Sequence, residues 1–238
     1  IFESGTASNG ATASNLGSPH ESRRVVGARV LNGRIVGADR GFNLYNFNEN
    51  SEIAHIQFAE CGIAIYSERP FYSRYTDLTS RGVSGGSRSA AFHFKDFTNI
   101  CAITNVRAIG RALGFEFDGG VNGQEIVGCS AEKCQDGMKF KGEVNPVSIR
   151  SCYFEDIPGT AMDFTTPVAH RAVEIDANWF QNVGVGVAGV QMLGGTVGNS
   201  NYFLKTLTPV AIEDPVSTIC VDIRSDRFKG NAQPGVPA

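Results

Sequence analysis

One six-residue phrase, Ile-x-x-x-aromatic-Phe, occupies residues 149–154 and recurs 26 residues later at 175–180. Residues 53–58 and 223–228 keep its spacing between Ile and Phe, and Tyr202-Phe203 keeps its aromatic end. With Val or Ala filling the gaps, a column runs through Val36, Phe58, Val83, Ala108, Ala131, Phe154, Phe180, Phe203 and Phe228. Its steps are 22, 25, 25, 23, 23, 26, 23 and 25 residues. A recurrence of about nine units fixes the architecture before any single element is considered.

A second phrase follows each column residue: Gly-Phe-Asn-Leu (41–44), Gly-Ile-Ala-Ile (62–65), Ala-Phe-His-Phe (91–94), Gly-Phe-Glu-Phe (114–117), Gly-Met-Lys-Phe (137–140) and Ala-Met-Asp-Phe (161–164). Alternation of apolar with variable residues reads as a strand with one buried face. Gly, Asn, Asp and Pro punctuate these strands, and no apolar series at helical spacing is long enough for a helix. A leucine-rich repeat would need a Leu ladder and a recurring Asn, which are absent. The expectation is all-β, a right-handed single-stranded parallel β-helix of about nine coils. Like residues then stack about 4.8 Å apart, in a prism on the order of 40 Å long. The 16 Phe of the chain become its interior.

The repeat divides the chain into a lead-in (1–24), a β-helix (25–228) and a C-terminal tail or linker (229–238) rich in Pro and Gly. A chain that starts at Ile1 reads as a fragment or processed product. Net charge is −3, which offers no footprint for nucleic acid or an anionic membrane. No apolar run is long enough to span a bilayer. Six Cys (61, 101, 129, 134, 152, 220) lack zinc spacing. Cys129 and Cys152 share one column on neighbouring coils and Cys61 and Cys134 share another; Cys stacked one coil apart read as buried free thiols or as a bridge. His20, His55, His93 and His170 are scattered without ligand spacing. No metal or cofactor is expected.

Three sets of residues carry chemistry. Ser67 to Ser89 reads as a loop bulging from the prism, where Arg69, Phe71, Tyr72, Arg74 and Tyr75 offer guanidinium forks and stacking faces to a sugar, or pack on the prism or a neighbouring subunit. Along one sheet, the outward columns are Ala64, His93, Glu116, Lys139, Asp163 and Tyr66, Lys95, Asp118, Lys141, Thr165. Glu116 and Asp118 lie two apart on one strand, with their carboxylates roughly 5 to 9 Å apart, and Asp163 extends the group as a candidate acid and base set. A third outward column runs Gln57, Gly82, Arg107, Ser130, Tyr153, Trp179, Tyr202, Arg227, in which Tyr153, Trp179 and Tyr202 form a strip suited to a subunit interface or a sugar platform.

The Gly-apolar-x-Phe and Ile-x-x-x-aromatic-Phe phrases over residues 25–228 resemble the pectate-lyase-like β-helix superfamily, and within it the prisms of bacteriophage tailspikes and tail fibres. The Asn-Thr-Asp, Asp-Asp and Gly-His-Gly strings of polygalacturonases are absent. So are the Trp-Ile-Asp-His string of pectate lyases and the Asp-Pro-His motif of mannuronan epimerases. Arg69-Pro70 with Arg74 echoes the lyase Arg-x-Pro-x-x-Arg at the wrong spacing. The resemblance implies a homotrimer in the virion tail, outside the cell, with flanking fibre domains or other tail proteins as partners. It would bind bacterial surface polysaccharide, with or without depolymerising it. Two alternatives stand beside it: a monomeric extracellular polysaccharide lyase or glycoside hydrolase using Glu116, Asp118 and Asp163, and a structural β-helical spacer.

Overall fold

The computed structural model describes residues 24–82, 90–212 and 215–223, and the backbone of the strands Thr12–Leu16 and Phe228–Lys229. The described chain is all-β, and its strands pair in parallel as a β-helix of about eight turns rather than nine. The expected nine counts stacked positions, which only eight turns connect. One turn shows the plan. Leu113–Asn122 lies in a first sheet, Gln124–Val127 in a second and Ser130–Glu132 in a third. The chain then returns as Asp136–Phe140, with Phe115 beside Met138 and Phe117 beside Phe140.

Parallel registration puts like side chains on top of one another, and the alternation of each strand sends every second one inward. In the first sheet Phe94, Phe117, Phe140 and Phe164 stack ring on ring at 5.1, 4.6 and 4.4 Å, with interplanar angles of 11°, 3° and 4°. In the third, Phe154, Phe180 and Phe203 stack at 5.3 and 4.7 Å. The second sheet contributes Ile53, Tyr75, Ile103, Ile126, Ile149 and Ile175, all fully buried. The stacked Phe form the interior, but not every Phe does: Phe97 is 49% exposed, Phe71 is half-buried, and the side chains of Phe2 and Phe228 lie outside the described residues.

Register corrects several positions. Ile35, not Val36, pairs with Phe58, and Ser80 fills the place given to Val83, which lies outside the described residues. Val221, not Ile223, pairs with Val197. Thr79 replaces Gly82 in the third outward column, and Arg227 is not described. Phe42 pairs with Ile65, so the coil assigned to residues 62–65 is shifted by two: Ala64 is buried and Tyr66 stands in the outward column instead. The stretch read as a bulging loop is mostly ordinary coil. Within it, Arg74–Thr76 and Thr79–Arg81 are strands of the second and third sheets, and only residues 83–89 lie outside the description. At the N-terminus, Thr12–Leu16 pairs with Arg40–Tyr45, so stacking begins before Val25.

The corners need left-handed backbone. Between the second and third sheets Asn32, His55, Asp77, Asn105, Gly128, Ser151 and Ala177 occupy one position of successive turns, with φ between 52° and 64°. Asn and Asp tolerate this region and join the stack by side chain. Asn105 Nδ2 donates to Asp77 Oδ1 at 3.1 Å, and His55 Nδ1 lies 3.1 Å from Asp77 Oδ2. On the next turn the position is Gly128, where a Cβ would sit 2.6 Å from Asn105 Oδ1 and that side chain would have to move.

All six cysteines are free, five of them buried and Cys220 exposed. Cys129 and Cys152 occupy one inward column, followed on the next two turns by Asn178 and Asn201. Burial pushes the Cys129 thiol well above its ordinary pKa, so it behaves as a small apolar residue with a weak donor, aimed at the Ile103 carbonyl at 3.5 Å.

Candidate functional site

The outer face of the first sheet carries a continuous polar network. Its columns are Asn43, Tyr66, His93, Glu116, Lys139, Asp163 and Tyr45, Glu68, Lys95, Asp118, Lys141. The Arg40 guanidinium caps the Tyr66 ring at 4.1 Å, and Tyr66 donates to Glu68 at 2.9 Å. Lys95 pairs with Glu68 at 3.9 Å, Lys141 with Glu116, and Lys139 with Asp163 at 2.9 Å. Opposite charges on neighbouring strands explain this order without any ligand.

Within it, His93, Glu116 and Asp118 converge: one donor atom from each lies within 4.8 Å of the other two. One oxygen of each carboxylate thus lies within 4.8 Å of the other, at the short end of the expected range. Asp163, expected to extend the group, does not join it. Burial would raise its carboxyl, but hydrogen bonds from the Thr165 hydroxyl (2.6 Å) and backbone N–H (2.8 Å) and the Lys139 ammonium outweigh burial. They hold it below the ordinary carboxylate range, as a fixed anion and a poor proton donor. His93 is the member that chain-wise reading missed. Burial keeps its imidazole below the ordinary range, in spite of the nearby Glu116 and Asp118 charges.

The third sheet presents the aromatic strip. Tyr153 pairs with Trp179 and Trp179 with Tyr202, and the Trp179 and Tyr202 rings stack at 4.2 Å with 29° between planes. Trp179 is 38% exposed. Polar groups line the neighbouring column: Gln181 Nε2 donates to Glu155 at 3.0 Å, and Trp179 Nε1 reaches Gln181 Oε1 at 3.4 Å. Two turns before Tyr153, Arg107 grips Glu132 in a two-pronged pair of 2.7 and 2.6 Å. A flat apolar face bordered by amide and carboxylate oxygens can stack a sugar ring and hydrogen-bond its hydroxyls.

The other candidate sugar residues differ in exposure. Tyr75 is fully buried in the second sheet, its hydroxyl 2.7 Å from Ser67 Oγ, and its ring meets Phe47 and Phe94. It occupies an Ile position and cannot stack on a ligand. Arg74 is exposed one residue earlier on that strand. Arg69 and Tyr72 sit at left-handed corners, Arg69 beside Glu68 (3.4 Å) and Asp96 (3.8 Å), and Tyr72 against Phe71 at 4.5 Å.

No family model, no curated protein and no solved structure matches this chain.

Proposed function

We propose that the chain is a β-helical segment of a tailspike-like or tail-fibre assembly, at the virion surface, that binds bacterial surface polysaccharide along Tyr153, Trp179 and Tyr202. The observation that carries this reading is the stacked, solvent-facing pair of Trp179 and Tyr202 with Gln181 and Glu155 beside it. A rigid β-helix holds such rings at coil spacing, so a linear glycan lying along the axis meets one ring per turn without ordering a loop. The same strip suits the seam of a homotrimer, and mass in solution separates the two uses: a seam requires three times the 25.5 kDa of the chain. Glycan cleavage is the weaker companion reading, resting on Glu116 and Asp118 alone.

The test is retention of the chain on immobilised bacterial capsular polysaccharides and lipopolysaccharides. Trp179→Ala is expected to weaken the best binder by at least about tenfold, or about 1.4 kcal/mol, with the circular dichroism spectrum unchanged. Equal retention of Trp179→Ala, or no retention of the parent chain on any of these glycans, overturns the reading. New reducing ends or unsaturated sugars that persist in Glu116→Gln and Asp118→Asn would remove those two carboxylates from any catalytic role.

A further inference from the structure

We propose that His93, Glu116 and Asp118 form a binding site for a divalent transition-metal ion of the zinc class. Among the described residues, they are the three that bring potential ligand atoms within 4.8 Å of one another. The donors come from two adjacent strands, His93 from one and Glu116 with Asp118 from the next, so the hydrogen-bond ladder itself fixes their spacing.

A second observation concerns the imidazole itself. The Nε2 atom of His93 is shielded from solvent and has no hydrogen-bond partner. It points at Asp118 Oδ2 from 3.6 Å, beyond hydrogen-bonding reach. Ligand atoms around one zinc ion, at about 2.0–2.2 Å from it, lie roughly 3.4 Å from each other. The His93–Asp118 separation is already near this value, and a Glu116 oxygen lies within 4.8 Å of both. The Lys141 ammonium now rests on Glu116, so a cation already occupies this corner of the network and a metal ion would displace it. One imidazole and two carboxylates match zinc, manganese or cobalt, whereas calcium and magnesium prefer an all-oxygen set. Asp118 is 43% exposed, which leaves the remaining coordination positions open to water.

The experiment is a calorimetric titration of zinc chloride into the chelator-stripped full chain carrying Cys220→Ser, which removes the exposed thiol as a competing ligand. One zinc per chain is expected. His93→Gln and Asp118→Asn should each weaken binding by at least about tenfold, and Lys141→Met should tighten it by removing the competing ammonium. Should His93→Gln misfold, Asp118→Asn at its half-exposed position still reads the site. The proposal is overturned by the absence of stoichiometric zinc binding, by unchanged affinity in Asp118→Asn, or by calcium binding as tightly as zinc. No glycan enters this titration, so its outcome is separate from that of the polysaccharide reading.

Discussion

Phe180→Ala is expected to destabilise the chain by about 3–5 kcal/mol, the range for removing a fully buried Phe. Phe180 has no exposed surface, and its ring lies between Phe154 at 5.3 Å and Phe203 at 4.7 Å, nearly parallel to both. Truncation removes the transfer free energy of one ring and also two stacked contacts, each of about 0.5–1.5 kcal/mol beyond area. The backbone ladder holds neighbouring turns at fixed spacing, so the walls cannot close on the cavity. Trp179, the preceding residue, points outward, and Trp179→Ala should cost well under half as much. Denaturant unfolding of both variants measures the contrast, and Phe180→Leu supplies a milder version if Phe180→Ala does not fold. A loss below about 1 kcal/mol for Phe180→Ala would mean that this column is not interior.

Asn178→Ala should be nearly as damaging, at about 2–5 kcal/mol, although it removes little apolar area. The fully enclosed side chain of Asn178 ties three turns together. Its Oδ1 accepts from the Cys152 N–H at 2.9 Å, and its Nδ2 donates to the Ile149 carbonyl and to Asn201 Oδ1, both at 3.0 Å. Asn201 Oδ1 also accepts from the Asn178 N–H at 3.0 Å. Truncation leaves the Cys152 N–H and Ile149 carbonyl buried without these partners, at about 1–3 kcal/mol each. Asn178→Asp keeps the acceptor for Cys152 but loses both donated bonds and faces Asn201 Oδ1 with a carboxylate, so it should not rescue. Hydrogen exchange at the Cys152 amide should accelerate in Asn178→Ala, and an unfolding midpoint equal to that of the parent chain would count against the ladder.

The interior was legible because identical side chains recur where the coils stack: Phe154, Phe180 and Phe203 could be lined up without coordinates. Register was legible only where both phrases were strong. Shifting residues 62–65 by two keeps the inward and outward faces the same, so alternation could not detect the error that put Ala64 where Tyr66 stands. The step from Ser80 to Ala108 is 28 residues, longer than its neighbours, and that excess hid the strands Arg74–Thr76 and Thr79–Arg81 inside an apparent loop. Tyr75 then looked like a sugar-binding residue, when it lies 22 residues after Ile53 and fills an Ile position.

The convergence of His93 with Glu116 and Asp118 was hidden for a different reason. Ligand motifs are sought along the chain, within a helix turn or a short loop, whereas here the neighbours are 23 and 25 residues apart and meet because strands stack. The signal was present in the column that set His93 directly before Glu116. Reading down the columns, and then across to the residue two along the strand, assembles all three.

Stacking is what brings distant residues together, and the distance between two spin labels tests it directly. Glu52, Arg74, Ala102, Glu125, Ser148, Glu174 and Thr196 form one outward column in which each residue pairs with the next, six steps from end to end. At about 4.8 Å per step the ends lie about 29 Å apart. Labels placed by Glu52→Cys and Thr196→Cys in a Cys220→Ser background, measured by pulsed electron resonance, should give one narrow distribution centred near that value. A broad distribution, or a narrow one far from it, would contradict the stacked coil and with it every surface built on the stack.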